Sequence, residues 1–288
     1  MRRRAFVAAI GSAAFSQEKA DEFICPMDRD VRKSGPGTCP RCGMKLVANL
    51  PDPADYILGL RTIPAVPKPG WTTRFEFTIA DPKTGKVVRD FEIVHEKLFH
   101  LFLVREDLGW FAHEHPEFLR DGRFAWHGVL PRAGGYRVVA DCYPHGATPQ
   151  FLLKTVYTAG AFDEPANPVG FAADRGPRQA ANLGVEFTTE PEYPVAGQET
   201  LLFFRLRPAD GLERYLAAWG HMLIASDDLV DVIHDHPLYA YPEAADRPQV
   251  QFNVIFPRAA YYRIWVQFQR KGVVNTVNFT VPVRRLGE

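Results

Sequence analysis

The chain has 288 residues, and 46% hydrophobic content with 12% aromatics is enough to pack the cores of about two domains. Thirty-four basic residues balance 34 acidic residues, so the net charge is 0 and no long-range field attracts nucleic acid or an anionic membrane surface. We therefore expect a globular protein with no nucleic-acid partner.

Residues 1–16 have the pattern of an export signal, with a basic start, an apolar run over residues 5–15 and small residues before the predicted cleavage point. The pair Arg3 and Arg4 resembles the twin-arginine export signal, while an ordinary secretory (Sec) signal explains the same pattern. No later stretch approaches the roughly 20 apolar residues that span a bilayer. The sequence thus predicts a periplasmic or secreted protein with no transmembrane segment in its mature chain.

Residues 17–50 contain three of the four cysteines. Cys39 and Cys42 are separated by two residues on a predicted tight turn, a spacing typical of metal-binding knuckles. Soft sulfur ligands select Cu(I) or Zn²⁺, and about 25 residues cannot build a core without such a staple. In an oxidising compartment, a disulfide between two of the cysteines is the alternative. The candidate sulfur ligands of this segment are Cys25, Met27, Cys39, Cys42 and Met44.

Residues 23–47 resemble the small heavy-metal-binding ribbon found at the N-termini of copper-transporting P-type ATPases and of some periplasmic efflux adaptor subunits. The shared pattern is C-P-M, followed by G-P-G-x-C-P-x-C-G-M-x-L. The resemblance implies Cys25, Cys39 and Cys42 as ligands of a copper or zinc ion, and a metal efflux or delivery protein as partner. The family usually has His after the first C-P-M, where this chain has Asp28, a harder ligand that suits Cu(I) less well.

A second pattern, a histidine followed after twelve residues by His-x-His-Pro, occurs twice, 121 residues apart. In each copy an apolar run, a polar turn and a second run that ends at proline predict a β-hairpin. In the first copy the predicted strands are residues 98–104 and 109–115, joined by a four-residue turn. This register places His100 directly opposite His113.

The same count pairs His221 with His234, and the alternation of side chains along a strand puts His115 and His236 on the matching faces. Opposed Cβ atoms lie about 4.5–5.5 Å apart, close enough for imidazoles to share a copper or zinc ion. Alternatively, the histidines close the end of a sheet by hydrogen bonding to loop carbonyls. The two candidate trios are His100, His113 and His115, and His221, His234 and His236.

The whole pattern predicts an all-β fold, a small metal-stapled ribbon followed by two tandem immunoglobulin-like β-sandwiches. About seven short strand-like runs fill residues 54–158, as is typical of such a sandwich. Residues 182–284 repeat the plan after a loop-like linker at residues 159–181. Both modules contain an Asp-Leu turn, H-x-H-P and a late P-x-x-x-x-Y-R strand, and here they resemble exported immunoglobulin-like domains of the YtkA-like type. That resemblance implies an envelope protein associated with copper or other metals.

Some candidate ligands belong to the first module alone, including His95 and His127. Cys142 and His145, with His100 upstream, follow the ligand order of blue-copper domains, although no methionine stands at a suitable axial spacing. The alternative is that Cys142 is a small buried hydrophobe at a strand end.

Motifs of nucleophilic enzymes, zinc proteases and nucleotide-binding enzymes are absent from the sequence. We therefore predict a non-catalytic, exported heavy-metal-binding protein that handles copper or zinc or confers resistance to them. The alternatives are a cell-envelope interaction protein with a structural metal clip, and a blue-copper-like electron-transfer domain.

Overall fold

The computed structural model describes residues 22–41, 43–48, 53–160, 172–241 and 249–287. The predicted export signal and Cys42 therefore lie outside the described residues. Within these ranges the chain forms β-strands and no α-helix, which confirms the all-β prediction. No helix in these ranges is long and apolar enough to cross a membrane.

The N-terminal ribbon is a two-stranded antiparallel sheet of β1 (Phe23–Ile24) and β2 (Arg32–Lys33). Its small apolar core contains Cys25, Cys39 and Leu46. The predicted knuckle turn is closed by a hydrogen bond from the Gly43 backbone N–H to the Cys39 carbonyl (2.9 Å). The ribbon therefore buries Cys25 and Cys39 at its centre.

The first sandwich packs a four-stranded sheet of order β3-β4-β9-β8 against a five-stranded sheet of order β11-β10-β6-β7, in which β5 also pairs with β10. Its strands are β3 (Ile57–Ile63), β4 (Thr72–Ala80), β5 (Phe91–Glu92), β6 (Phe99–Arg105), β7 (Phe111–Glu114), β8 (Glu117–Phe118), β9 (Phe124–Val129), β10 (Gly135–Pro144) and β11 (Gln150–Tyr157).

The second sandwich packs a sheet of order β12-β13-β14-β19-β18 against a sheet of order β15-β20-β16-β17, in which β21 also pairs with β20. Its strands are β12 (Arg178–Gln179), β13 (Gly184–Glu190), β14 (Glu199–Arg207), β15 (Leu212–Glu213), β16 (His221–Ser226), β17 (Val232–Asp235), β18 (Tyr239–Tyr241), β19 (Gln249–Ile255), β20 (Ala260–Arg270) and β21 (Val273–Val283). Because β12 joins this sheet, the end of the predicted linker belongs to the second sandwich.

The repeated P-x-x-x-x-Y-R motif forms the same local structure in both sandwiches. The hydroxyl of Tyr136 donates a hydrogen bond to the Arg132 carbonyl (2.8 Å), and the hydroxyl of Tyr262 donates to the Arg258 carbonyl (3.0 Å). A buried tyrosine that bonds back to the chain a few residues upstream is the tyrosine corner of immunoglobulin-like sandwiches.

The two sandwiches pack against each other through β6 and β16, whose side chains are buried on both faces. Along β6 one face, with Leu101 and Leu103, fills the core of its own sandwich. The other face, with Phe102 and Val104, packs against the second sandwich, where Trp265 is among the contacts. Burial on both faces explains why these strands are continuous apolar runs.

The first hairpin pairs in a register two residues away from the predicted one, because Phe102, rather than His100, lies opposite His113. Six residues, 105–110, separate the last paired residues Val104 and Phe111, and among them Leu108 has a φ of 55°. A shift of two residues keeps each side chain on its own face of the sheet. The predicted pairing is therefore wrong, but the face is unchanged.

The second hairpin shows the same difference, since Leu223, rather than His221, lies opposite His234. Leu229 has a φ of 56°, at the position equivalent to Leu108. The two hairpins are thus structural repeats.

Candidate metal centre

The hairpin histidines lie on the face of each sheet that meets the other sandwich. Their rings form one continuous cluster at the junction, with neighbouring centroids between 3.7 and 6.5 Å apart. Period-two alternation places the first histidine of each hairpin on the same face as the apolar interface residues. The cluster contains His95, His100, His113, His115, His221, His234 and His236.

The first triad, His100, His113 and His115, belongs entirely to the first hairpin, and its ligand atoms lie within 4.8 Å of one another. The Nε2–H of His100 donates to the Val94 carbonyl (3.0 Å), and the Nδ1–H of His113 donates to Oε1 of Gln267 (2.7 Å). These bonds fix the tautomers, so the nitrogens left over carry lone pairs.

Those lone pairs face one another. His100 Nδ1 lies 3.1 Å from His113 Nε2 and 3.3 Å from His115 Nε2. A tetrahedral ion with bonds of about 2.0–2.1 Å holds its nitrogen ligands about 3.3 Å apart. With no proton between His100 and His113 to make a hydrogen bond, a cation is the species that this arrangement fits.

The second triad is His221, His236 and His95, so one ring comes from the other sandwich. The Nε2–H of His221 donates to the Tyr215 carbonyl (2.9 Å), which leaves the Nδ1 lone pair 3.0 Å from His236 Nε2. The arrangement repeats that of His100, whose Nε2–H donates to the equivalent carbonyl of the first sandwich.

His95 is buried, and neither of its ring nitrogens makes a hydrogen bond of good geometry to the described residues, although the backbone of Leu216 is close enough to act on its pKa. Its ring stacks on His236 with centroids 3.7 Å apart and lies 5.2 Å from the centroid of His221. A buried imidazole without partners is costly, because its polar atoms have lost their hydration. A shared cation would satisfy it.

The second group that could hold an ion differs from the predicted trio, because it contains His95 in place of His234. The Nδ1–H of His234 donates to Oδ2 of Asp141 in the first sandwich (2.5 Å), and its buried Nε2 has no partner among the described residues. The centroid of His234 is 6.1 Å from that of His221, whereas the equivalent rings His113 and His100 are 5.4 Å apart.

Burial lowers the pKa of six rings of the cluster. It lowers the pKa of His95 and His100 from 6.5 to about 4, and the pKa of His115 to about 3. It also lowers the pKa of three further rings well below 6.5, namely His113, His221 and His236. Metal ligation requires neutral imidazole, so these rings are in the binding form at neutral pH.

Asp141 supplies the negative charge of the cluster. Burial opposes its ionisation, but the hydrogen bond from His234 lowers the pKa of the carboxyl overall. A carboxylate beside a histidine cluster favours a bound cation and orients the ring that it contacts.

The ribbon brings together Cys25, Asp28 and Cys39, whose ligand atoms also lie within 4.8 Å of one another. Oδ2 of Asp28 is 3.1 Å from Cys39 Sγ and 3.7 Å from Cys25 Sγ. The residue that departs from the ribbon pattern is thus part of the candidate site. Two thiolates and a carboxylate suit Zn²⁺ better than Cu(I).

The predicted methionine ligands have different surroundings. Met27 packs against the apolar core of the ribbon around the cysteines. Met44 lies in a separate cluster with Val94 and Tyr143 of the first sandwich, which Met27 also contacts. Met44 therefore docks the ribbon onto the sandwich.

The blue-copper arrangement does not form. Asp141 pairs with His100 across the sheet, so the next residue, Cys142, points to the opposite face and into the sandwich core. Burial there raises the pKa of the Cys142 thiol. His145 is exposed, and its Nδ1 bonds to Glu92 Oε1 (2.6 Å). The structure does not bring Cys142, His145 and His100 together, which corrects the electron-transfer alternative.

Comparison of the repeats identifies the ligand that the hairpin pattern missed. His95 and Leu216 occupy equivalent turns, since the bridge between Val94 and Lys97 matches the one between Tyr215 and Ala218. Both residues have positive φ, 46° for His95 and 48° for Leu216. The sequence signal for this ligand is that the first module has a histidine at position 95, whereas the second module has a leucine at the equivalent position 216.

Two family models match the chain. One, described as "Domain of unknown function (DUF8832)", matches residues 55–156 and 179–285, more than two thirds of the 288 residues. The chain belongs to this family. The other, "Heavy metal binding domain", matches residues 23–49 and confirms the heavy-metal-binding ribbon at the N-terminus of this DUF8832 protein. The resemblance to YtkA-like domains stays a prediction.

No curated protein matches the chain. Among solved structures, the Escherichia coli adhesin FdeC is 13% identical, over 85% of this chain and 71% of that chain, with a TM-score of 0.27. A two-domain fibronectin type III segment of chicken tenascin is 9% identical, over 80% and 98%, with a TM-score of 0.22. Fibronectin(III)-like modules of Clostridium thermocellum CbhA are 8% identical, over 80% and 95%, with a TM-score of 0.22. TM-scores of this size establish no common function.

Proposed function

We propose that this protein is an exported, non-catalytic metal-handling protein that binds zinc or copper at three places, the ribbon and the two histidine triads. The observation that carries the proposal is the pair of triads, in which ring nitrogens converge at 3.0–3.3 Å, and in the first of which the fixed tautomers of His100 and His113 leave two lone pairs facing each other. Export is supported by the signal pattern of residues 1–16.

Nitrogen ligands favour Zn²⁺ or Cu²⁺, and both triads are buried between the sandwiches. An ion held by His95, His221 and His236 is bound by both sandwiches at once. Binding there therefore contributes to the stability of the junction as well as to metal storage.

The test uses the full chain with Cys25, Cys39 and Cys42 replaced by serine, so that only the histidines remain as metal ligands. Zn²⁺ at a hundredfold excess over its dissociation constant should stabilise this variant by about 2.7 kcal/mol for each occupied triad, seen as a higher melting temperature. A parallel titration with Cu²⁺ ranks the two metals.

Two further variants in this background make the test specific. The double substitution His100→Gln and His221→Gln should remove the zinc-dependent shift. Substitution of His127 and His145 by Gln, outside the cluster, should leave it unchanged. If zinc and copper fail to raise the melting temperature of the well-folded parent, the histidines are structural and metal binding is confined to the ribbon.

A further inference from the structure

The ribbon docks directly beside the second triad. Met44 is buried against Val94 and Tyr143, and Met27 packs on the same cluster. Val94 immediately precedes His95, the ring that the first sandwich contributes to the triad. The ribbon is therefore fixed over the turn that positions this ligand.

A cavity of about 410 Å³ lies between the ribbon and the second sandwich. On the ribbon side it is lined by Met27 and Asp28, and on the sandwich side by Asp235 and His236. Since one water occupies about 30 Å³ of liquid volume, this space holds several waters or a hydrated cation. The cavity connects the ribbon site with a ligand of the triad.

Two aspartate side chains lie along this connection, Asp28 and Asp235, and burial raises the pKa of Asp235 to about 7. Oδ2 of Asp28 contacts Cys39 Sγ at 3.1 Å, and Asp28 also lines the cavity. Its charge is close enough to act on both His95 and Asp235. Asp235 is largely buried, and its Oδ2 has no hydrogen-bond partner among the described residues. Oxygen ligands are thus available between the sulfur ligands and the nitrogen ligands.

We propose that the ribbon hands its ion to the triad of His95, His221 and His236 through this cavity, with Asp28 and Asp235 as ligands on the way. The proposal rests on the proposed function, because it requires both sites to bind. The cargo is a borderline divalent cation such as Zn²⁺, whose oxidation state does not change. Thiolate bonds to the ion break as carboxylate and then imidazole bonds form, and each released thiolate takes a proton from water.

The experiment follows Co²⁺, used as a coloured substitute for Zn²⁺, after rapid mixing with the full chain at a substoichiometric ratio. Sulfur ligation gives charge-transfer absorption that nitrogen ligation lacks, so the two sites are distinguished by their spectra. We expect the sulfur signal to rise first and then to decay at the rate at which the nitrogen-ligated spectrum grows.

Two variants test the route. Asp235→Asn, which touches no ribbon sulfur, should slow the transfer by about tenfold or more without changing the final spectrum. The double substitution Cys25→Ser and Cys39→Ser should slow the filling of the triad by a similar factor. Asp30→Asn, in the same cavity wall but outside the Cys25, Asp28 and Cys39 group, is the matched control and should transfer at the parent rate.

The outcomes separate this route from the proposed function. A triad that reaches normal occupancy at an unchanged rate in the cysteine variant and in Asp235→Asn would overturn the route alone. A full chain that shows no nitrogen-ligated cobalt at equilibrium would overturn both.

Discussion

The two histidine triads arise from the same hairpin but differ in composition. The first takes all its rings, His100, His113 and His115, from one hairpin. The second takes two rings from its hairpin and a third, His95, from the opposite sandwich. Each sandwich contributes residues that contact the hairpin of the other, but these residues differ in chemical type.

The difference lies in two pairs of equivalent positions. At the first pair of positions, the turn before β6 carries His95, a member of the second triad, whereas the equivalent turn before β16 carries Leu216. Where Gln267 fixes a ring of the first triad at 2.7 Å, Asp141 holds His234 at 2.5 Å. Asp141 and Gln267 are equivalent because each pairs with the first histidine of its own hairpin. A duplicated hairpin thus gives two different sites through residues supplied by its neighbour.

Acid should destabilise the folded protein, because both triads contain buried histidine rings that stay neutral in the folded state. Below about pH 6.5 His95 and His100 become protonated in the unfolded chain, whereas in the folded chain, where their pKa is about 4, both stay neutral down to about pH 4. The unfolded state therefore binds more protons, and stability falls as the pH drops through this window. We expect each ring to withdraw on the order of 2–3 kcal/mol from the free energy of unfolding of the metal-free protein.

Urea unfolding at pH 7 and at pH 4.5 measures this loss. His95→Leu should reduce the pH dependence by the contribution of one ring, and it is compared with His127→Gln, a substitution outside the cluster. An unfolding free energy that does not change between pH 6.5 and 4 would contradict the account of buried neutral rings.

His95→Leu should disable one triad and spare the other. The substitution gives this turn the leucine that the second sandwich has at the equivalent position, Leu216. It also removes one of the three proposed ligands of the second triad. Since loss of a residue that only supports a ligand costs about 10–100-fold in metal affinity, loss of the ligand should exceed about 100-fold. Calorimetric zinc titration in the ribbon-cysteine variant should detect one histidine site instead of two. Retention of two sites of parent affinity would remove His95 from the ligand set.

Gln267→Met tests the support of the first triad, because Gln267 fixes the tautomer of His113. In a chain that lacks the ribbon cysteines and carries His95→Leu, only the first triad remains. There the substitution should weaken zinc binding by about 10–100-fold. Asp141→Asn is the comparison variant, since it contacts a ring outside both triads, and it should weaken zinc binding less than Gln267→Met because it removes only a nearby charge. Equal losses in both variants would show a general effect of the junction.

Leu216→His should make the first triad more like the second in composition, because it places a histidine at the turn equivalent to that of His95. The backbone at Leu216 has a φ of 48°, and His95 already occupies the equivalent turn with a φ of 46°. In the same single-triad background we expect zinc affinity to rise by about tenfold, the smallest of these effects. Leu216→Met controls for packing. If the histidine variant binds no more tightly than the methionine variant, the equivalence of the two turns does not extend to their side chains.

The sequence predicts the hairpins and the face that their histidines occupy, because that face depends only on side-chain alternation along a strand. It does not predict the register, since a six-residue loop with Leu108 at positive φ looks the same in sequence as a four-residue turn. The error does not change the face that the histidines occupy, because side chains alternate along a strand with a period of two residues.

The membership of the second triad could not be predicted from local pattern. It depends on how Phe102, Val104 and Trp265 pack the two sandwiches together, which places His95 beside the other hairpin. In contrast, the placement of Cys142 follows from alternation. Its neighbour Asp141 shares a face with His100, so Cys142 cannot.

Counting the bound ions by native mass spectrometry tests the central claim most directly. The full chain saturated with Zn²⁺ should hold three ions, one in the ribbon and one in each triad. Replacement of the three ribbon cysteines by serine should leave two, and the further change His95→Leu should leave one. A chain without the three ribbon cysteines that folds normally and holds no zinc would contradict the account, because the buried histidines would then bind no metal at all.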